Sequence, residues 1–446
     1  MITQSKLPKP RRFLSADRLI QTLRNRFADV PDRRKASGTD YSMVDTLMAA
    51  FAMFSLKDDS LLVFQKRAKE PAIQGLYGIS AIPSDTQMRA ILDGIDIEML
   101  NEAFADIFHE LQRGNALQQF VFEDGHYLLA LDGTGYFCST KVRCPQCMER
   151  KSRSGETQYV HQAVAAVIIH PDRKEVIPLG IEPIVKQDGE TKNDCERNAS
   201  KRLLRRIRTL YAKLKLIVVE DGLASNAPHI ADLRDLNMRF LLGAKPSDHA
   251  HLYDQVIAAS DADNIEVVTR VCPRDGKTVI SETQYVSGLE LNASNRDVKV
   301  NFLQHFEYDL DTGETIKRFG WVTDITIVRN LMPRYTQGGR GRWRIENETF
   351  NTLKNQGYSF EHNYGHGKEN LSTVLMLLMF LAFTVDQVQQ ACCPLFNAVL
   401  EALGGKKYVW MKLRSHVDCF TYKSFADLWT AILSRYLASR GSPSPV

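Results

Sequence analysis

The chain has 446 residues, of which 44% are hydrophobic, and a formal net charge of +4. A chain of that length and apolar content can bury a large core and is expected to form two or three domains, and its mild positive balance permits a nucleic-acid partner without demanding one. Eight cysteines in so long a chain exclude a disulfide framework and fit a reducing cytoplasm, with the adjacent Cys392 and Cys393 read as core filler.

Met1 to Ile20 intersperses Lys, Pro and Arg with no apolar stretch, unlike a secretory signal. Helices are expected from Met1 to about Phe122. The first forty residues carry Lys6, Lys9, Arg11, Arg12, Arg18, Arg24, Arg26, Arg33, Arg34 and Lys35, an excess that suits either a phosphate backbone or a solvated basic arm. Val44 to Leu56 is apolar almost all round and reads as a core helix. Ser84-Asp85 reads as an N-cap before a helix through Ile91, and Glu98 to Arg113 repeats apolar residues at helical spacing.

The composition changes at Gly125. Tyr127 to Leu131 reads as a short strand ending in Asp132-Gly133-Thr134-Gly135, followed after a Cys-bearing loop by strands at Tyr159 to Ile169 and Glu175 to Pro183. A helix from about Asp194 to Lys215 turns Leu203, Leu204 and Ile207 inward and carries Lys201, Arg202, Arg205, Arg206 and Arg208 on its other faces. Leu216 to Val219 is continuously apolar, as a buried parallel strand should be, and ends in Glu220-Asp221-Gly222. A helix at Ala227 to Leu236 and a strand at Phe240 to Gly243 complete the order three strands, helix, strand, helix, strand. That is the order of a ribonuclease-H-like fold, an α/β mixed sheet with helices on its faces.

From Tyr253 to about Val328 β-type segments alternate, at Ile265 to Val271, Thr278 to Val286 and Arg318 to Ile327, with turn signals at Asp275-Gly276 and Asp311-Thr312-Gly313; this reads as an all-β insertion. Gly341 to Asn355 then reads as a helix opening behind a Gly-rich loop at Gly338 and Gly339. At helical spacing Trp343, Glu346, Phe350 and Leu353 share a packed stripe, and Glu348 faces solvent. A carboxylate on a packed face needs a partner, either Arg342 at i−4 or a metal. Val374 to Phe383, the longest apolar run, is about half the roughly 20 residues of a bilayer span and reads as part of a buried helix, Leu371 to Gln389. A helical tail and a Ser-Pro end close the chain.

Asp132 and Asp221 each stand at the end of an apolar strand, and a ribonuclease-H-like sheet would make those strands neighbours with the Glu346 helix lying across them. An Asp-Gly pair taken alone is more often a turn. Three gathered carboxylates raise one another's pKa unless a counter-charge meets them, and two Mg²⁺ (or Mn²⁺) ions held by Asp132, Asp221 and Glu346 would supply it while clamping the attacking and leaving oxygens of a phosphoryl displacement.

With LDGTG around Asp132, VEDG around Asp221, and three residues between Arg342 and Glu346, the chain resembles the DDE transposases of bacterial insertion sequences, in the group whose last motif is Tyr, two residues, Arg, three residues, Glu, six residues, Lys. The likeness covers about Tyr127 to Gln389 and includes the β insertion. Gly339 stands at the Tyr position, and Lys354 follows Glu346 after seven residues. The resemblance implies a ribonuclease-H-like catalytic domain in two parts, 123–250 and 331–390, around a β-rich insertion at 251–330. A helical region at 1–122 would bind DNA ends and dimerise, and a C-terminal helical region spans 391–446. It further implies cut-and-paste transposition by a homodimer on terminal inverted repeats and target DNA, in the bacterial cytoplasm near the nucleoid and with no membrane. Trp321 would stack on a flipped base, and Arg340, Arg342, Arg344 and Lys354 would contact DNA beside Arg329 and Arg334. Alternatives are a ribonuclease-H-like nuclease without strand transfer, an actin-like ATPase suggested by Asp132-Gly-Thr-Gly, and a domesticated inactive DNA-binding protein. His362 and His366 read as loop caps. Cys144 and Cys147 have metal-like spacing, and with Cys138 and His161 as the nearest further ligands they form either a reduced pair or a structural Zn²⁺ site.

Overall fold

The computed structural model describes residues 7–34, 40–186, 195–274 and 277–441. Lys6, Lys35, Asp194, the Asp275-Gly276 turn and the Ser-Pro end lie outside the described residues. Six helices come first: α1 (Ala16–Ala28), α2 (Met43–Leu56), α3 (Leu61–Arg67), α4 (Pro71–Tyr77), α5 (Asp85–Asp93) and α6 (Ile97–Arg113). Ser15, Ser42, Ser60 and Ser84 each cap one of them by accepting an N–H of the first turn.

The α/β part follows as β1 (Tyr127–Ser139), β2 (Met148–Lys151), β3 (Thr157–Ile169), β4 (Ile177–Ile184), α7 (Glu196–Leu210), β5 (Leu216–Glu220), α8 (Ala227–Asp235) and β6 (Arg239–Gly243). Then come α9 (Ala250–Asp261), β7 (Glu266–Arg274), β8 (Lys277–Asn292), β9 (Asn295–Asp309) and β10 (Thr315–Thr323). Among the described residues, ten strands make one mixed sheet in the order β2-β3-β1-β5-β6-β10-β9-β8-β7, with β4 sharing the outer edge of β3. The β1–β5 and β5–β6 pairs are parallel and every other pair is antiparallel. The segment expected as an all-β insertion therefore opens with a helix, α9, and its strands do not form a separate sheet. Trp321 to Thr323 of β10 pair with β6 and carry the central sheet onward through β9, a strand the sequence reading missed.

After the sheet come α10 (Met332–Arg340), a π-helical turn at Ile345–Phe350, α11 (Asn351–Asn355), α12 (Leu371–Cys392), α13 (Pro394–Leu403), α14 (Lys406–Cys419) and α15 (Phe425–Gly441). Gly338 and Gly339 lie inside α10, not in a loop ahead of it, because each lets a ring approach the helix backbone that a Cβ would block. α12 packs against α2, α5, α6 and β4. Among the described residues it is the one helix long and apolar enough to cross a membrane, yet 94% of its most apolar stretch is buried inside the protein.

Much of the positive charge noted in the sequence is neutralised internally. Arg18 pairs with Glu110, and Arg26 with Glu102 and Asp106, which ties α1 to α6, while Arg34 pairs locally with Asp32. On α7, Arg202 and Arg206 meet Glu182 of β4 at 2.6 Å, Lys201 meets Asp232 of α8 at 3.0 Å, and Arg208 donates to main-chain carbonyls. That face anchors α7 to the sheet.

The segment between α11 and α12 is held by Asp93. Its carboxylate accepts the N–H groups of Lys368, Glu369, Asn370 and Leu371 at 2.7–3.0 Å, and a Cβ on Gly367, where φ is +67°, would collide with it. Burial raises the Asp93 pKa, but the four amides outweigh it and hold the carboxyl below its ordinary value. The stabilisation is therefore complete above the unfolded-state pKa near 4 and is lost as pH falls through the lower folded value. Asp93→Ala is expected to cost about 2–3 kcal/mol at pH 7 in denaturant unfolding, with the deficit shrinking at pH 3; a deficit unchanged by pH would argue against this cap.

Candidate active site

β1 and β5 run in parallel with Ala130 opposite Val219. Asp132 and Asp221 each lie two residues further on, so the two acids stand level, Asp132 within β1 and Asp221 just past the carboxyl end of β5, on strands spaced about 4.8 Å apart. This is where open α/β sheets gather ligands. Asp132-Gly133 is not a turn, because β1 continues to Ser139 with Asp132 paired to Ala165 of β3. Asp221 leaves its strand and opens a short 3₁₀ turn, accepting the Leu223 N–H at 2.9 Å, with its side chain exposed.

Glu346 reaches these acids from the π-helical turn. The expected packed stripe splits: Phe350 and Leu353 are buried, whereas Trp343 is 43% exposed and the Glu346 side chain 50%. The widened turn breaks the 3.6-residue spacing on which that stripe was drawn, and such turns recur at functional sites. Glu346 is thus no buried carboxylate. Arg342 joins it to the sheet, donating from Nη1 to Asp132 Oδ2 at 2.9 Å and from Nη2 to Glu346 Oε1 at 2.7 Å. Both partners anticipated for Glu346 are therefore compatible with one arrangement, in which the arginine is bonded and the carboxylate stays open to solvent.

A fourth acid was missed. Glu196, the first residue of α7, lies so close to Gly133 that a Cβ there would meet its Oε2 at 2.6 Å. In the sequence it reads as an ordinary first-turn acid, favourable at a helix N-terminus, and nothing marks it further. Burial pushes the Asp132 carboxyl up to about 6; Arg342 opposes the rise, and Glu346 and Glu196 add to it. Burial also raises Glu196, with Asp221 and Glu220 contributing. Glu220 itself is taken by His229, whose Nε2 lies 2.6 Å from its Oε2. Negative charge therefore exceeds what Arg342 neutralises.

The chain matches no family model and no curated protein. The site's own geometry must therefore carry the functional reading.

Asp221 stands between two clefts. One, of about 620 Å³, is lined by Lys245, Lys317, Arg318, Trp321, Arg340, Arg342 and Trp343; the other, of about 560 Å³, by Glu196, Arg197, Lys201 and His229. Lys245, Lys317 and Arg318 were not singled out in the sequence, since they come from a loop and an outer strand that only the sheet brings to Arg342.

Several expected DNA contacts are placed otherwise. Trp321 is 5% exposed and packed against the Gly339 backbone, where a Cβ would lie 2.5 Å from the indole, so it is a core residue and no stacking platform. The same contact explains why position 339 is a glycine. Trp343 is the tryptophan open to the cleft. Arg344 is buried, donates to the Pro171 carbonyl and packs over Trp343, and so does not face the cleft. Arg334 is held by Asp172 and His170. Arg340 lines the cleft while pairing with Glu307 at 2.7 Å. Lys354 pairs with Glu361 and lies further along β1, beside Arg150 and Cys138. His362 packs edge-on against Tyr364, whereas His366 joins Cys144, Cys147 and His161; Cys138 is outside that group.

The raised Asp132 pKa has a stability consequence. The folded state holds this proton more tightly than the unfolded chain does, so the site costs stability progressively as pH rises from about 4 to about 6. Asp132→Asn is therefore expected to stabilise the metal-free protein by roughly 1–3 kcal/mol more at pH 8 than at pH 4, read from denaturant midpoints; equal effects at both would contradict it. Gly339→Ala is expected to cost about 1–3 kcal/mol through its clash with Trp321, measured in the same way.

Proposed function

We propose that the chain is a DDE-type DNA transposase that hydrolyses the ends of an insertion sequence and joins them to target DNA. The observation that carries this reading is the bridge that Arg342 makes between Asp132 on β1 and Glu346 on a distant helix, with Asp221 standing level with Asp132 just past the end of the neighbouring strand. The order β4-β3-β1-β5-β6, with β3 alone antiparallel to the rest, supports a ribonuclease-H-like catalytic core. The cationic cleft beside Arg342 suits a phosphodiester, and the reading includes a homodimer engaging two terminal inverted repeats in the bacterial cytoplasm.

The donor set fits Mg²⁺ or Mn²⁺: hard carboxylate oxygens, open to solvent, with more negative charge than the adjacent arginine offsets. Asp132, Asp221 and Glu346 would hold two such ions, with Glu196 close by, and the ions would supply Lewis-acid stabilisation of the phosphoryl oxygens. Asp132 must be deprotonated to serve, so activity rises with pH through about 6. Arg342 keeps Asp132 and Glu346 side by side before DNA arrives and presents a planar fork to a phosphate. Trp343 offers a ring for a base drawn out of the stack.

The test uses DNA carrying the natural flanks of the gene, with Mg²⁺. Wild-type protein is expected to cut at inverted repeats bordering the reading frame and to join those ends to a plasmid. Asp132→Asn, Asp221→Asn and Glu346→Gln should each reduce cutting by about 10³-fold or more while retaining DNA binding. Trp343→Ala should weaken binding of the cut end by about 1–3 kcal/mol. Undiminished cutting by Glu346→Gln would overturn the assignment, and cutting without joining would favour the nuclease reading.

A further inference from the structure

Away from the carboxylates, Cys144 and Cys147 in the β1–β2 loop, His161 on β3 and His366 in the segment between α11 and α12 place their ligand atoms within 4.8 Å of one another. The two sulfurs are 3.5 Å apart, His161 Nε2 is 3.3 Å from each, and His366 Nδ1 is 3.2 Å from His161 Nε2. Tetrahedral Zn²⁺, with bonds of about 2.3 Å to sulfur and 2.0–2.1 Å to nitrogen, requires edges of about 3.3–3.8 Å. The observed separations are those of such a cage. One imidazole nitrogen carries a single proton or a single lone pair and cannot satisfy three partners at once; a shared central ion explains the convergence.

We propose that Cys144, Cys147, His161 and His366 bind a structural Zn²⁺ ion that fastens the β1–β2 loop and β3 to the segment leaving the Glu346 helix. Two thiolates balance the charge of the ion, and soft sulfur ligands select zinc against the hard cations suited to the carboxylate site. The Cys144 carbonyl accepts the Cys147 N–H and the Cys144 N–H points at Cys147 Sγ, so the Cys-Pro-Gln-Cys turn is already folded around the site. Tyr136 stacks on His161, and the edge of Phe137 meets His366 with centroids 4.1 Å apart, so aromatic rings fix both imidazoles. His161 and His366 are 205 residues apart in sequence. The ion closes that span and fixes a basic stretch at the end of the strand that carries Asp132, with Lys141 and Arg143 in the β1–β2 loop, Arg150 and Lys151 on β2 and Arg153 just after it, all exposed.

The inference is independent of the transposase reading, and its test needs no DNA. Untagged full-length protein, purified without added metal and dialysed, is expected to contain one equivalent of zinc by elemental mass spectrometry. Stripping it with a chelator should lower the melting temperature by about 5 °C or more, and Co²⁺ should restore it with thiolate charge-transfer and tetrahedral d–d absorption. Cys147→Ala should lose the metal, whereas His366→Cys, which supplies a different fourth ligand, should keep it. Folded wild-type protein that holds only trace zinc and takes up none on reconstitution overturns the proposal, as does a full equivalent retained by Cys147→Ala.

Discussion

The bridge from Asp132 through Arg342 to Glu346 is the contact around which the rest of the site is arranged. Asp132 on the first strand and Glu346, 214 residues beyond it, meet through a single guanidinium. Without that cation, carboxylates from β1, β5, α7 and the π-helical turn would face one another at the carboxyl end of the sheet, and burial would push their pKa values higher still. Even with it the charge is incompletely balanced. A site that stores electrostatic cost in its free state is suited to taking up cations, and that cost lies at the one place where the sheet ends in an open cleft.

Elsewhere charge is balanced closely. The arginines of α1 and α7 bond carboxylates and carbonyls of the elements beneath them, so they act as fasteners between helix and sheet and contribute little field to the surroundings. Around the cleft Lys245 and Arg318 add positive charge from the loop after β6 and from β10, while Lys317 and Arg340 share the Glu307 carboxylate. The extended sheet therefore does more than separate the parts of the chain that carry Asp221 and Glu346. By pairing β10 with β6 it forms one wall of the cleft, and by seating Trp321 against Gly339 it sets how closely α10 can lie on that wall.

The segment after the Glu346 helix is restrained at two points, by Asp93 at the start of α12 and by His366 in the cysteine–histidine group. Both restraints come from parts of the chain far away in sequence. Together they fix the path of the chain from α11 to α12.

The sequence alone determined the α/β class and the places of most strands and helices, and it singled out Asp132, Arg342 and Glu346, which the fold joins. Those features are local: apolar runs of strand length, caps, and an Arg and Glu four residues apart on one helix. It did not determine which cations remain available, because Arg344 and the arginines of α7 look the same in sequence whether they meet phosphate or the carbonyls and carboxylates of a neighbouring strand. Nor did it reveal Glu196, His366 as a partner of Cys144, or the exchange of roles between Trp321 and Trp343. Helical periodicity assumed 3.6 residues per turn, and the π-helical turn at Ile345–Phe350 broke that assumption where it mattered most. Those outcomes depend on contacts across one to two hundred residues, which pairing of β10 with β6 and of β1 with β5 decides, and no local pattern encodes them.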